Sequence, residues 1–465
     1  MRPGYFIQSG INGNDFESIK KYLKKVLPGS ILVSRKNFRN SAELSELIKN
    51  INKFYRIENG IEEPYYAIDQ EGGNVIRLSD VNYIPSNLAL GKINDINLTY
   101  YSGLKTGYDL ASVGINWNLA PDLDILKNFS NPVILERSFG TDIDTVSEHG
   151  IAYIKGLRKY GVASTAKHFP GHGFVSADSH KILPVDTRNI SEIYNDMAPF
   201  VKSSENNVDS IMMSHVEYEN IDSYPASLSG KLYNILRREI GFEGVIITDS
   251  MDMKAISMNY SYKEMVEFSL NNGADIVESA STETAENLKY ELEKIEVLDE
   301  SNKVKRIKNL IPEKVFNFKP PNKIMEIISY KSIVWKRHVT LDPEKEFYLI
   351  FMPYSLTNVN SDVNNYSKLK EEFEFNNLKF KFISFDALND VSFNMEQLIF
   401  IGRNENFYYN YKIINEKAKG NICVYVSTSL GMDEGLISED IGYISTYSSK
   451  VENIIYAIYS ILGFM

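Results

Sequence analysis

The chain has 465 residues, of which 43% are hydrophobic, enough for more than one packed core. Its 50 basic against 61 acidic side chains leave a net charge of −11, which argues against nucleic acid or an anionic membrane as the main partner. Cys423 is the single cysteine, so no intrachain disulfide and no thiolate metal cluster can form. The first residues lack the apolar run of a secretory signal and no 18-residue apolar stretch occurs, so a soluble cytoplasmic protein is expected.

Through about residue 300, short apolar runs alternate with helix-length amphipathic segments, the rhythm of repeated β-α units around a parallel sheet. The predicted strands are Phe6 to Gln8, Ser30 to Ser34, Tyr65 to Asp69, Ile115 to Ala120, Val162 to Ala166, Ser210 to Met213, Gly244 to Thr248 and Ala274 to Val277. Predicted helices between them include Ala42 to Tyr55, Asp144 to Tyr160, Ser191 to Glu205, Ser229 to Glu239 and Tyr262 to Asn271. This strand count approaches that of a (β/α)8 TIM-type barrel, with an open doubly wound sheet as the alternative. Polar residues recur where the strands end: Asp69, Lys167 with His168, His215 and Asp249. In a barrel such ends converge on one face, so residues distant in sequence become neighbours.

Taken singly, each of these has a plain structural reading. Asp69 and Glu71 flank a turn rich in Gly and Asp, which a loop alone explains. Asp249 ends a buried-type strand, where it is a nucleophile, a ligand or a helix cap. Arg137 in Glu136-Arg137-Ser138-Phe139-Gly140 suits carbonyls and carboxylates but also a simple salt bridge.

The densest stretch is Lys167 to His180, K-H-F-P-G-H-G-F-V-S-A-D-S-H. Pro170, Gly171 and Gly173 prevent a helix there, so it reads as a loop leaving a strand. A surface loop is one reading. A metal site of His168, His172 and His180 is a second, set aside because Pro170 and Gly171 bar the helix that would put the first two on one face. The third is acid/base chemistry, with Asp178 orienting His180. Neither metal nor cofactor is expected.

Beyond Pro312, Pro320 and Pro321 the pattern loosens and then resumes. Residues 1–318 read as a catalytic domain, 319–345 as a linker with one helix near Ile324 to Lys336, and 346–465 as a smaller α/β sandwich domain. Its predicted strands are Phe347 to Met352, Phe380 to Phe385, Gln397 to Ile401 and Asn421 to Val426, closed by a helix from Val451 to Leu462. No G-x-G-x-x-G follows its first strand and no G-K-[ST] is present, so nucleotide binding is not indicated.

D-Q-E-G-G at 69–73, R-S-F-G at 137–140, K-H-F-P-G-H-G at 167–173, D-S-H at 178–180 and T-D-S at 248–250 occur in this order. Together they resemble glycoside hydrolase family 3, in its bacterial β-N-acetylhexosaminidase branch. The resemblance covers about residues 1–300. It implies Asp249 as the nucleophile of a retaining double displacement and His180, oriented by Asp178, as acid/base. It also implies Asp69, Arg77, Arg137, Lys167 and His168 as residues holding the sugar, with His215 a less secure match. The implied substrate is a carbohydrate with terminal β-linked N-acetylglucosamine. The alternatives are a β-glucosidase, a phosphorylase of the same family, or a silent sugar-binding protein. Asn74 departs from the arginine common after D-Q-E-G-G, a change expected to affect contacts near the sugar rim.

Overall fold

The computed structural model describes residues 2–81, 84–321, 323–351, 366–376, 378–384, 388, 391, 393, 395–402, 408–428, 437–447 and 451–464. Its first part carries ten short strands: β1 (Ile7–Gly10), β2 (Ser30–Leu32), β3 (Tyr65–Ile68), β4 (Trp117–Asn118), β5 (Thr165–Phe169), β6 (Val185–Asp186), β7 (Ser210–Met213), β8 (Glu217–Tyr218), β9 (Val245–Thr248) and β10 (Val277–Ser279). One parallel sheet runs β10-β1-β2-β3-β4 and another β5-β7-β9. Parallel bridges Trp117 to Ala163 and Ile247 to Ile276 join the ends of the two sheets, so the pairing returns to its start. β6 and β8 form a small parallel pair outside this circuit.

These strands are buried along nearly their whole length, which is why β7 and β9 read as unbroken apolar runs rather than alternating ones. Their outer faces pack on amphipathic helices such as Phe16–Val26, whose Ile19, Leu23 and Val26 line one side. Capping follows from sequence: Asp15 accepts from the Ser18 amide, Asn40 from Glu43, and Ser261 forms a capping box with Glu264.

Several expected boundaries shift. β5 extends to Phe169, so Lys167 and His168 sit within the strand rather than just after it. β4 spans two residues of the run expected from Ile115 to Ala120, and β10 runs on to Ser279. The helix expected from Ser191 to Glu205 is two, Ile190–Asp196 and Ala198–Glu205, divided at Met197 just before Pro199. The predicted helix near Ile324 to Lys336 ends at Lys331, and its remainder becomes strand β11 (Val334–Arg337).

β11 pairs antiparallel with β16 (Gly442–Ser445) at the edge of a six-stranded sheet. The order is β11-β16-β15-β14-β12-β13, with β12 (Phe347–Phe351), β13 (Phe380–Ser384), β14 (Gln397–Gly402) and β15 (Ile422–Ser427) parallel to one another. Met352 and Phe385, the expected last residues of two of these strands, lie outside the described residues. Side chains alternate between two cores. Ile399, Ile401, Val424 and Val426 meet the helix Val451–Ile461 on one face, while Leu398, Phe400, Cys423 and Tyr425 meet the helix Tyr408–Ala418 on the other. Burial pushes the Cys423 thiol up to about 12, so it is an inert core group.

The two parts touch. Ser86 Oγ donates to the Tyr447 carbonyl at 2.8 Å, and Tyr447 packs with Leu88, Ala89, Leu126, Val133 and Ile134. No described helix is long and apolar enough to cross a membrane.

Candidate active site

A cavity of about 410 Å³ opens where β3, β5, β9 and β10 end, a size within the roughly 300 to 1,000 Å³ of small-molecule pockets. Asp69, Glu71, Arg77, Arg137, Lys167, His168, His172, His180, Asp249 and Glu278 all line it. Seven of the nine residues singled out from sequence therefore share one wall-to-wall site. The other two, Asp178 and His215, lie behind it.

The turn after β3 brings in the first carboxylates. Gly72 has φ 106° and a Cβ there would collide with the Pro85 carbonyl, so only glycine makes this turn. Gln70 holds the turn shut through Nε2 to the Leu78 carbonyl, while its Oε1 accepts from the Arg77 and Leu78 amides. Asp69 and Glu71 then face the cation of Lys167, with Nζ at 3.0 Å from Asp69 and 2.6 Å from Glu71. Arg137 grips Glu71 with two parallel bonds, Nε to Oε2 at 2.8 Å and Nη2 to Oε1 at 2.9 Å. Burial pushes the Glu71 carboxyl up, but Arg137 and Lys167 outweigh it and hold the group well below the usual carboxylate range. Lys167 is the mirror case: burial favours loss of its proton, and Glu71 with Asp69 keeps it charged. Arg77 stands 3.8 Å from Asp69.

Adjacent residues of a strand normally face opposite sides, yet Lys167 and His168 both reach the cavity. The pairing of β5 with β7 shifts register between Ala166 and Phe169, which re-aims these two side chains. His168 Nδ1 donates to Asp124 at 2.7 Å, and Arg137 Nη2 lies 3.4 Å from its Nε2. Burial, and then the Arg137 charge, push His168 down to about 4. It is therefore a neutral imidazole with its proton on Nδ1 at physiological pH.

Asp122 and Asp124, which sequence reading passed over, form the buried base of this arrangement. Asp124 accepts from the His172 amide at 2.6 Å, and Asp122 stands 3.5 Å from Arg137. Among the described residues, Asp122, Asp124 and His168 are the group whose donor atoms lie close enough to hold a metal ion, within 4.8 Å of one another. The three-histidine set considered from sequence is not assembled. His172 turns to Ser179 at 3.2 Å and His180 to Asp178. The Arg137 cation lies 3.5 Å from Asp122 in this group.

Asp249 follows β9 directly. Its amide donates to the Met213 carbonyl at 3.0 Å and its Oδ1 accepts from the Ser250 amide at 2.7 Å. Burial pushes its carboxyl up, but His215, His168, the Ser250 amide and His180 together bring it below the usual value. His180 sits on the loop beyond β5, a quarter exposed, with Nδ1 3.0 Å from Asp178 Oδ1. The Asp178 carboxyl, pushed up by burial, is brought below its usual value by the His180 amide and ring and by Lys181.

His215 was expected to touch the sugar. It is fully buried, bonded through Nδ1 to Ser227 at 2.7 Å and through Nε2 to the Ser250 carbonyl at 2.9 Å, and does not line the cavity. Its ring steadies the backbone beside Asp249 instead. Asn74 is likewise buried and away from the cavity wall.

A family model described as "Glycosyl hydrolase family 3 N terminal domain" matches residues 7–310. A beta-hexosaminidase of Neisseria meningitidis is 37% identical over 272 residues, 56% of this chain and 73% of that protein. A glycoside hydrolase family 3 beta-N-acetylglucosaminidase from Paenibacillus sp. has a similar structure, with TM-score 0.88 and 25% identity over 99% of this chain and 96% of that one. NagZ from Neisseria gonorrhoeae, solved in complex with N-trifluoroacetyl-D-glucosamine, gives TM-score 0.59 and 29% identity over 70% and 93% of the two chains.

Proposed function

The chain belongs to glycosyl hydrolase family 3, and from that premise we propose that it is a retaining exo-β-N-acetylglucosaminidase. It releases terminal β-linked N-acetylglucosamine through a covalent glycosyl-enzyme. The observation that carries this reading is that Asp249, on a rigid strand end, and His180, on a loop, line one cavity with Asp69, Arg77, Arg137, Lys167 and His168.

In the first step ionised Asp249 attacks the anomeric carbon while the bond to the leaving oxygen breaks. His180 gives that oxygen its proton, and Asp178 stabilises the ring that changes charge. In the second step His180 takes a proton from water, the water oxygen bonds to the anomeric carbon, and Asp249 departs as carboxylate. An acid on a loop suits this division, because the loop can close after the sugar binds. Lys167, Arg77, Asp69, Arg137 and neutral His168, all lining the cavity, offer donors and acceptors for the hydroxyls and the acetamido group.

The same proposal includes a (β/α)8 barrel over residues 1–318, supported by the circuit of parallel pairing. It also includes an α/β sandwich from 346 onward, with 319–345 as the connection, and action in the cytoplasm, which cell fractionation tests. A second reading has phosphate replacing water, since an imidazole acid/base repels an anionic acceptor less than a carboxylate does. Product analysis on an aryl β-N-acetylglucosaminide, with and without phosphate and beside the aryl glucoside, decides. Free N-acetylglucosamine of retained configuration is expected. Sugar phosphate as main product moves the assignment to a phosphorylase, and preference for the glucoside moves it to a β-glucosidase.

A further inference from the structure

Glu278 has no part in the chemistry above, yet it lines the same cavity. It stands in the middle of β10, opposite Gln8 in the pairing with β1, and its backbone amide donates to Thr248 Oγ1 at 3.0 Å. The side chain is 4% exposed, and its Oε2 has no hydrogen-bond partner among the described residues. A buried carboxyl oxygen without a partner is costly, and natural structures keep one where a ligand or solvent completes it. The carboxyl turns about its last torsion at little cost, so either oxygen can be presented to the cavity.

We propose that Glu278 is a sugar-contacting residue of this site, whose unpartnered carboxyl is completed by a ring hydroxyl or the hydroxymethyl group of the bound sugar, and which thereby helps select the sugar accepted. This rests on the glycosidase reading above. The charged groups facing Glu278 fit it. Asp249 after β9, Asp69 after β3 and Asp252 are negative, and Lys167 on β5 opposes them with a positive charge. Lys167 is already held by Glu71 and Asp69. Burial first, then Asp249 and Asp69, raise the Glu278 carboxyl well above its usual value. The raised pKa favours the protonated carboxyl, which places no second carboxylate against the ionised Asp249. The protonated carboxyl donates one hydrogen bond and accepts another, as a hydroxyl needs.

The test compares wild type, Glu278→Ala and Glu278→Gln on the aryl β-N-acetylglucosaminide and its 3-, 4- and 6-deoxy analogues. Glu278→Ala is expected to lower kcat/KM on the parent sugar on the order of 10- to 100-fold. On the one analogue lacking the contacted hydroxyl, the same substitution is expected to cost less than about threefold. Glu278→Gln keeps a neutral donor and acceptor and is expected to stay within about fivefold of wild type on the parent sugar. Equal losses on all four substrates, no loss on any, or Glu278→Gln falling as far as Glu278→Ala overturns the proposal. Glu278→Asp, which keeps the carboxyl and shortens its reach, carries the same comparison if the alanine variant does not fold. Wild type that fails to cleave the parent sugar overturns the glycosidase reading instead, and this inference with it.

Discussion

The two parts of the molecule use parallel strands in opposite ways. In the six-stranded sheet, β14 and β15 are apolar on both faces: Leu398 and Phe400 meet one helix layer, Ile399 and Ile401 the other. In the first part, β5 and β10 place Lys167, His168 and Glu278 on the inward side and give the outward side to helices. A charged side chain inside a sheet is costly unless paired. The pairs exist here, Glu71 with Arg137 and Lys167, while neutral His168 is hydrogen-bonded to Asp124. The difference teaches where to look: an ionisable residue interrupting an otherwise apolar strand marks either a paired structural charge or the reaction itself.

Substitutions sharpen that contrast. The largest effect is expected from Asp249→Asn, which is near in shape and removes the nucleophile. Turnover should fall on the order of 10⁴- to 10⁶-fold. His180→Ala should cost roughly 10²- to 10⁴-fold on substrates with poor leaving groups and far less on activated aryl glycosides. An equal loss on both would remove His180 as the acid. Arg137→Ala takes one of the two cations from the buried Glu71 carboxylate and leaves it to Lys167 alone, and should destabilise by about 1 to 3 kcal/mol, read by denaturant unfolding. Changing Glu71 to Gln in the same chain should recover part of that loss. In the apolar sheet, Ile399→Ala opens a cavity and should cost about 2 to 5 kcal/mol. It should leave kcat/KM unchanged, and if it abolishes activity, the two parts are not separable in the way described.

The pH response is the gentlest probe. Asp249 is held below the ordinary carboxylate value in the folded protein, so it stays ionised as pH falls through about 4 and loses its charge only below that. Its contribution to folding follows the same course, present above the unfolded value and lost as pH falls through the lower folded one. Brief exposures in which the fold persists should show nucleophile-dependent steps continuing below pH ~4.

Much of this was legible in the chain and some was not, for physical reasons. Asp69, Lys167 and Asp249 announce themselves because each follows or ends an apolar run. His180 does so because Asp178 stands two residues before it. Asp122 and Asp124 are harder to see, since Pro-Asp-Leu-Asp after a two-residue strand has no apolar run to end. Their period-two spacing just past Trp117-Asn118 was the available signal. Glu278 was missed because the predicted strand stopped at Val277, the last apolar residue, whereas β10 continues through the glutamate to Ser279. His215 misled in the opposite direction: its place after β7 suggests contact with ligand, but Ser227 and the Ser250 carbonyl claim both ring nitrogens. The joining of Val334–Arg337 to the second sheet was invisible for a different reason. An edge strand pairing with Gly442–Ser445 depends on a partner over a hundred positions away.

The most direct test of the central assignment is to trap the intermediate. The protein is incubated with a 5-fluoro N-acetylglucosaminyl fluoride, digested, and the labelled peptide sequenced by mass spectrometry. The account predicts one glycosyl unit on the peptide containing Asp249, attached at that side chain. A label on Glu278, on Asp69 or on another residue, or turnover without any covalent label, would contradict it.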